Sequence, residues 1–456
     1  MKRMVSFGVA SILAVSALAG CSAQTGGNGT TETPKNSSEA FPSEEGKRGE
    51  EDIEITWWST PTIAQNDGAQ AGTFERELIA AFEKKYPNIK VNLDTIDFTS
   101  GPEKLTAAIE AGTVCDILFD APGRIISYGK AGKLVDLNDM FTDELKKDID
   151  NEALLSSCRS NDNYYMYPLS TAAFTMAFNK DYLEKAGAMN LLDLEGDRTL
   201  TTENFEKILE KLHDAGYKGG TVFCSGQGGD QGTRAFISNL YGSQITNPEL
   251  TEYTINDENG VKALSKVKEW VDKGYMVNGS AYNGGEDIDQ FASGNTAFTT
   301  LWGPGLEATN AKKLKDGNVT AVSTCLPSES GTPALEYLVN GFCIFDKQDD
   351  ARAEAAKKFV DFACNDSEWG PKTIVQTGVF PVRNSFGDLY PGNNEMSYYA
   401  GLNKYFSPYY NTIDGFAEMR PYWFSMLQAV LNGDSNPKEA LDDFVKKSNE
   451  SIQNAQ

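Results

Sequence analysis

Strand patterns alternate with helix patterns along most of the chain, and this alternation limits the folds it can adopt. Ile53, Ile55 and Trp57 alternate with polar residues, as in a half-buried strand. Apolar residues at helical spacing follow over 74–82, and a second strand pattern covers 89–96. The order strand, helix, strand is typical of βαβ units. The sequence therefore predicts an α/β fold.

The length of the chain predicts more than one domain. The protein has 456 residues, and a single hydrophobic core rarely grows beyond about 250–300 residues. The short run Asp116-Ile117-Leu118-Phe119 is apolar after its first residue, as expected for a strand inside a parallel sheet. Two domains of this class leave a crevice between them, where ligands commonly bind.

The N-terminus has the pattern of a secretion signal followed by a tether. Lys2 and Arg3 precede an apolar run over 5–18, and its roughly 14 residues are fewer than the ~20 that a spanning helix needs. Residues 22–52 are polar and contain almost no apolar side chain, so they cannot offset the entropy cost of ordering. We expect a removable signal over 1–21 and a disordered tether over 22–52.

Charge and composition exclude several classes of function. The chain has 65 acidic and 41 basic residues and a net charge of -24, which repels nucleic acid. His213 is its only histidine, so histidine-based catalytic triads and most transition-metal sites are excluded. Besides Cys21 there are six cysteines but no Cys-x-x-Cys pair. We expect no metal and no cofactor, and cysteines that are mostly buried and free, with disulfides as the alternative.

Several segments together resemble one known family. Leu18-Ala19-Gly20-Cys21 resembles the lipobox of bacterial lipoproteins, which implies cleavage before Cys21 and lipid on its sulfur. The remaining segments resemble the extracellular solute-binding proteins that feed ABC-type sugar importers. They cover residues 82–91, 104–137, 167–169, 178–187, 291–298, 378–383 and 430–433.

The resemblance implies a two-lobed clamp of the type II periplasmic-binding-protein class, in which each lobe is a sheet flanked by helices. On this basis we expect a first lobe at 53–170 plus 299–336 and a second lobe at 171–298 plus 337–456. It also implies a carbohydrate ligand, delivery to the transmembrane subunits of an ABC permease, no enzymatic activity and a monomeric state. The protein is expected on the extracellular face of the cell membrane, anchored through lipid at Cys21.

Candidate ligand contacts follow from what a sugar offers, namely C–H faces for aromatic rings and hydroxyls for polar groups. Trp423 lies in a segment that resembles the family's ligand-stacking segment, and Trp302 lies where the family's chain meets the cleft. Instead of contacting a ligand, either indole could be packed in the core. The alternative for Asp120 is a charge that favours the start of the following helix. The full set of candidates is Trp58, Asp120, Thr171, Gln227, Asp230, Tyr282, Glu286, Trp302, Phe380, Arg383 and Trp423.

Two other functions stay open at this point. With 65 acidic residues, a surface glycosidase that uses two carboxylates is not excluded by counting, although no catalytic signature is present. A binding protein for a non-sugar solute keeps the same fold and changes only the cleft.

Overall fold

The computed structural model describes residues 52–64, 72–97, 100–226 and 228–455. The predicted signal, nearly all of the predicted tether, Cys21 and Gln227 therefore lie outside the described residues. Within the described residues, none of the helices has the length and hydropathy that a bilayer span requires.

The described strands are short, and most of them are buried on both faces. They are β1 (Ile53–Ser59), β2 (Ile89–Thr95), β3 (Ile117–Asp120), β4 (Arg159–Ser160), β5 (Asn163–Tyr164), β6 (Tyr167–Ala173), β7 (Thr175–Asn179), β8 (Phe298–Trp302), β9 (Ala321–Thr324), β10 (Tyr337–Ile344) and β11 (Phe380–Pro381).

Helices flank these strands. They are α1 (Thr73–Lys85), α2 (Gly101–Ala111), α3 (Pro122–Lys130), α4 (Asp143–Ile149), α5 (Glu152–Ser157), α6 (Lys180–Lys185), α7 (Thr202–Asp214), α8 (Gln231–Tyr241), α9 (Glu258–Asp272), α10 (Gly284–Ala292), α11 (Pro304–Asp316), α12 (Asp350–Asn365), α13 (Trp369–Thr377), α14 (Asn394–Ala400), α15 (Phe416–Asn432) and α16 (Pro437–Ala455).

The larger sheet has six strands in the order β11-β6-β10-β3-β1-β2. Strand β1 runs parallel to β2 and β3, whereas β10 runs antiparallel to β3 and β6. Alternation along β1 buries Trp57 completely, and its ring contacts Phe359 of α12 with centroids 5.2 Å apart. The apolar faces of the sheet and of α12 thus form one core.

The directions of these strands decide which edge of the sheet faces the rest of the protein. Because β10 is antiparallel to both β3 and β6, the strands β1, β3 and β6 all end at the same edge. Strand β6 continues through Phe174 directly into β7 of another sheet. The carboxyl ends of β1 and β3 therefore point toward the second lobe.

The smaller sheet has three strands in the order β8-β7-β9, and both outer strands are antiparallel to β7. Helix α8 packs closely on β8, since a side chain at Gly232 would lie 2.8 Å from Cβ of Leu301. The second core includes Phe178, Phe205 and Trp270. At the start of α15, Gly415 has a φ of 69° and lies against Ser451 of α16, so the sharp turn before Phe416 requires glycine.

Two of the predicted lobe boundaries are wrong. The segment 299–336 was assigned to the first lobe, but its strands β8 and β9 hydrogen-bond to β7 of the second. The segment from 337 was assigned to the second lobe, but β10 pairs with β3 and β6, and α12 packs in the first core. The strands β8, β9 and β10 have strand character in the sequence, but that character does not reveal which sheet each strand joins.

The six cysteines in the described residues are free and buried, which agrees with the expectation from the sequence. Burial raises the pKa of the Cys115 and Cys158 thiols to about 12. These groups therefore stay protonated and unreactive at neutral pH. The remaining members of the set are Cys224, Cys325, Cys343 and Cys364.

Candidate solute-binding site at the lobe junction

The candidate site lies where the chain crosses between the two lobes. One crossing joins β6 to β7 through Phe174, and a second reaches β10 through Glu336. The two run side by side, because the Phe174 N–H donates a hydrogen bond of 2.8 Å to the Glu336 carbonyl. A third connection passes Tyr409, which packs in the first core, and Tyr410, which packs in the second. Side chains beside these crossings can contact both lobes.

On the first lobe, an acid–guanidinium pair lies at the edge that faces the second lobe. Asp120 ends β3, opposite Gly341 of β10. Its carboxylate accepts two hydrogen bonds from Arg124 of α3, from Nε at 2.7 Å and from Nη2 at 2.6 Å. The Asp120 side chain is only 8% exposed, while that of Arg124 is 41% exposed. The guanidinium is therefore the accessible half of the pair.

On the second lobe, Asp230 forms a similar but more deeply buried pair. Arg420 of α15 donates to both of its oxygens, at 2.8 Å and 2.7 Å, and Arg234 of α8 donates to it as well. Burial by itself raises the pKa of Asp230, but the two guanidiniums outweigh it and hold the pKa below its ordinary value. The Arg420 side chain is 18% exposed, so this pair is more enclosed than that of Asp120 and Arg124.

Glu336 connects this pair to the crossing strand. Its Oε1 accepts a hydrogen bond of 2.6 Å from the Tyr410 hydroxyl, and that hydroxyl accepts from Nε of Arg234. Burial raises the pKa of Glu336 to about 7, although Arg234 and Tyr410 oppose the rise. The chain of bonds from Glu336 to Asp230 ties the crossing to helix α8.

A half-buried aromatic ring lies beside the second lobe's pair and next to helix α3 of the first lobe. Phe416 is 5.8 Å from the Arg420 guanidinium and 5.4 Å from that of Arg234. A side chain at Gly123, at the start of α3 in the first lobe, would lie 3.8 Å from the same ring. Phe416 therefore contacts the second lobe's cations and lies next to the first lobe's helix.

Glu307 adds an acceptor on the second lobe. It lies in the first turn of α11, after Gly303, whose position approaches the Ala173 carbonyl of the crossing. The Trp302 indole and the Tyr399 hydroxyl both lie 3.4 Å from its Oε2 as donors. Burial raises the pKa of Glu307.

Comparison with known proteins identifies the chain. Residues 66–367 match the family model of the bacterial extracellular solute-binding proteins. The chain belongs to this family. The protein is 23% identical to the maltooligosaccharide ABC transporter solute-binding lipoprotein of Streptococcus pneumoniae R6, over 86% of this chain and 88% of the relative. It is 24% identical to the arabinooligosaccharide-binding protein of Bacillus subtilis, over 97% and 98% of the two chains.

A solved structure gives the same architecture. The GacH receptor of Streptomyces glaucescens superposes with a TM-score of 0.70 at 16% identity, over 89% of this chain and 100% of that one. The predicted type II periplasmic-binding-protein fold is thereby confirmed for this solute-binding protein. The predicted family is confirmed as well.

The two strongest aromatic predictions for this solute-binding protein need correction. Trp302 and Trp423 have no exposed surface. The Trp423 indole donates to the Thr233 hydroxyl at 3.1 Å, and its ring packs on Phe444. The Trp302 ring packs edge-on against Phe291. Because both rings are enclosed by core side chains, neither offers a face to a ligand in this conformation.

Three further candidates are occupied by structural contacts. Thr171 donates its hydroxyl to the Leu338 carbonyl at 2.8 Å inside the larger sheet. Phe380 pairs with Thr171 in that sheet and packs against Tyr390. Arg383 binds Asp148 of α4, away from the Asp120 pair. All three hold the fold together rather than line an open surface.

The remaining predicted residues divide between the site and the surface. Asp120 and Asp230 lie at the junction, as described above. Trp58 is half-buried, and the Lys104 ammonium lies 4.5 Å from its ring centroid. Glu286 accepts from the Asn283 N–H at 2.8 Å in a capping box that begins α10, which accounts for its position without a ligand. Tyr282 is half-buried against the side chains of β8 and α10.

Sequence reasoning missed four residues of the junction, namely Arg124, Arg420, Phe416 and Glu307. Arg124 follows Asp120 by four residues, which is the spacing of an ion pair on one helix face, so this signal was available. Arg420 and Phe416 come from a distant part of the chain, and only the fold brings them to Asp230. In the described residues, no cluster of His, Cys, Asp or Glu could hold a metal ion.

Glu336 provides a test of the buried network through its pH dependence. The folded pKa of about 7 lies above the roughly 4.3 of an unfolded glutamate, so its contribution to stability is complete below about pH 4 and is lost as pH rises toward 7. Glu336→Gln has no carboxyl that titrates at this position, so its stability does not fall with pH for this reason. We expect the stability of the variant relative to the original protein to increase between pH 4 and 7, measured by urea unfolding.

Glu329→Gln is the matched control, because Glu329 is exposed and pairs only with Lys262. Its stability relative to the original protein should stay constant over the same pH range. If the stabilities of Glu336→Gln and of the original protein changed in parallel with pH, the buried network would be contradicted.

Proposed function

We propose that this protein captures a carbohydrate, in particular an oligosaccharide, between its lobes and delivers it intact to the transmembrane subunits of an ABC permease. The observation that carries this proposal is the half-buried ring of Phe416, which lies beside the Asp230–Arg420 pair and next to the helix that carries Arg124. A sugar needs an apolar face for its C–H groups and dense donors and acceptors for its hydroxyls.

Relatives support the choice of an oligosaccharide. The Streptococcus pneumoniae and Bacillus subtilis proteins are named for maltooligosaccharide and arabinooligosaccharide. The GacH receptor was solved both unliganded and in complex with acarbose. Each comparison covers most of this chain, so the likeness includes both lobes and the junction between them.

Because the ligand contacts both lobes, its binding is coupled to lobe closure. To move an open-favoured equilibrium from 1:99 to 99:1, a ligand must prefer the closed form by about 10⁴-fold, or about 5.5 kcal/mol. Several hydrogen bonds to charged groups, each contributing about 1.5–3 kcal/mol, are enough to supply this preference. The permease then distinguishes the loaded protein by its shape.

The proposed contacts combine predicted residues with those found at the junction. Asp120, Asp230 and Gln227 remain proposed contacts, and Tyr282 remains a candidate at the margin. Arg124, Arg420, Phe416 and Glu307 join them. The exposed side chain of Arg124 would donate to sugar hydroxyls while Asp120 holds it in position.

Binding without turnover tests the proposal directly. We expect isothermal titration with maltooligosaccharides and arabinooligosaccharides to give one saturable site for at least one series. A ligand at 100 times its dissociation constant should add about 2.7 kcal/mol to stability. Chromatography after long incubation should return the sugar unchanged. Shortened sugars would indicate a glycosidase instead, and binding confined to peptides or phosphorylated solutes would exclude the carbohydrate.

Phe416 is the ring whose removal should cost most affinity. We expect Phe416→Ala to weaken oligosaccharide binding about tenfold or more, since a stacked ring contributes roughly 1.4 kcal/mol or more. Titration calorimetry measures the loss. Tyr86→Ala is the matched control, because Tyr86 is also half-exposed and lies before β2 at the opposite edge of the first sheet. Equal affinities of the two variants would remove Phe416 from the site.

The anchor at Cys21 is a separate part of the proposal. Lipid on this cysteine would hold the protein at the extracellular face of the membrane. The anchored protein would be a monomer. We expect the full chain to fractionate with membranes and Cys21→Ser to be released into the soluble fraction, while the released protein keeps its sugar affinity. Membrane association of Cys21→Ser equal to that of the original chain would refute the anchor.

A further inference from the structure

A cavity lies toward the other end of helix α8 and borders the junction through Glu336 and Tyr410. Its volume is about 320 Å³, which is within the range of small-molecule sites. Three segments form its walls: the end of α8 with the following loop to Pro248, residues 328–336, and residues 407–410. Helix α8 spans 11 residues, so this end lies about 16 Å from Asp230 at its start. None of the predicted ligand contacts lines this cavity.

The cavity wall is rich in hydroxyl groups and lacks basic side chains. Ser238, Ser328, Ser330, Thr332 and Ser407 line it, and no Lys, Arg or His is among the described residues of the wall. Such a wall does not favour anions, because it has no cation to pair with them. It can exchange hydrogen bonds with hydroxyl groups in either direction.

Two buried groups in this wall have hydrogen-bonding capacity to spare. The Ser328 hydroxyl is buried and has no partner among the described residues. Glu336 accepts from Tyr410 through Oε1, while none of the hydrogen bonds found in the described residues involves its Oε2. Buried polar groups are rarely left unpaired. A ligand that donates a hydrogen bond would satisfy Glu336 Oε2, whereas the Ser328 hydroxyl is enclosed by the protein.

Arg234 already offsets the charge of Glu336, and this favours a neutral ligand over a cationic one. Arg234 lies behind Tyr410 and interacts electrostatically with Glu336. A second full positive charge in the cavity would meet Arg234 as a like charge. Tyr241, Pro248 and Pro408 supply apolar surface for C–H groups.

We propose that this cavity is a second binding site, apart from the Asp120–Arg124 and Asp230–Arg420 pairs, for a neutral polyhydroxylated solute of monosaccharide size. Hydroxyl groups of the solute donate to Glu336 Oε2 and pair with the accessible serine and threonine hydroxyls of the wall, while its C–H face packs on tyrosine and proline. The proposal does not depend on which solute binds between the lobes.

The test uses D-glucose as probe and the full chain in three forms. Glucose binding is measured by saturation-transfer NMR with titration. Ser407 is half-buried at the cavity wall, so Ser407→Phe fills the cavity and should weaken glucose binding at least tenfold. Ser265→Phe makes the same change on the exposed face of α9, and should bind glucose like the original protein. Phe416→Ala should keep glucose binding while it loses oligosaccharide.

Three results would overturn the proposal of a second site. Absence of glucose binding to the original chain up to 100 mM, on the order of the weakest useful affinity, would overturn the proposal. Equal glucose binding by Ser407→Phe and Ser265→Phe would also overturn it. Loss of glucose binding in Phe416→Ala alone would overturn it as well, because the glucose would then bind between the lobes. If Ser407→Phe does not fold, Glu336→Gln replaces it and should weaken binding several-fold, because it replaces the acceptor oxygen with an amide. Oligosaccharide titrations on the same samples report the proposed function separately.

Discussion

The hydrogen bond between the Phe174 N–H and the Glu336 carbonyl fixes the geometry on which the rest of the protein depends. It holds two strand-to-strand crossings side by side, so that both lobes are connected at one narrow place. Because β1, β3 and β6 end at the same edge, everything at their carboxyl ends faces the second lobe. The position of Asp120 follows from this constraint, as does the buried location of the Glu336 side chain.

Electrostatic balance at the junction is the second organising feature. Asp120, Asp230 and Glu336 contribute three carboxyls, and Arg124, Arg234 and Arg420 contribute three guanidiniums. Each of these six groups has a partner of opposite charge, directly or through the Tyr410 hydroxyl. The fourth carboxyl, Glu307, is contacted by the Trp302 indole and the Tyr399 hydroxyl, and burial raises its pKa. The net charge of -24 therefore resides elsewhere, and the surface between the lobes offers strong hydrogen bonding without a strong field. Such a surface suits a neutral, polar guest better than an ion.

The fold class could be predicted because local patterns determine it, whereas the site could be predicted only in part. The alternation at Ile53, Ile55 and Trp57 and the apolar run at β3 are local, and both form the expected strands. Asp120 and Asp230 were candidates because the family resemblance places ligand contacts at that strand end and in that loop. The prediction for Trp423 is wrong because an aromatic triplet on a helix looks the same whether it faces the core or a ligand. The lobe assignment is wrong for 299–336 and for the first part of 337–456, because sheet membership depends on pairing between distant strands.

The discontinuity of the two cores has a consequence for how the chain acquires its shape. The first core is incomplete until β10 and α12 are present, and the second includes residues up to Ile452 of the last helix. A nascent chain leaving the ribosome therefore passes through nearly its whole length without a finished lobe. The packing that stabilises each lobe therefore becomes available only late in synthesis, once α12 is complete for the first lobe and close to Ile452 for the second.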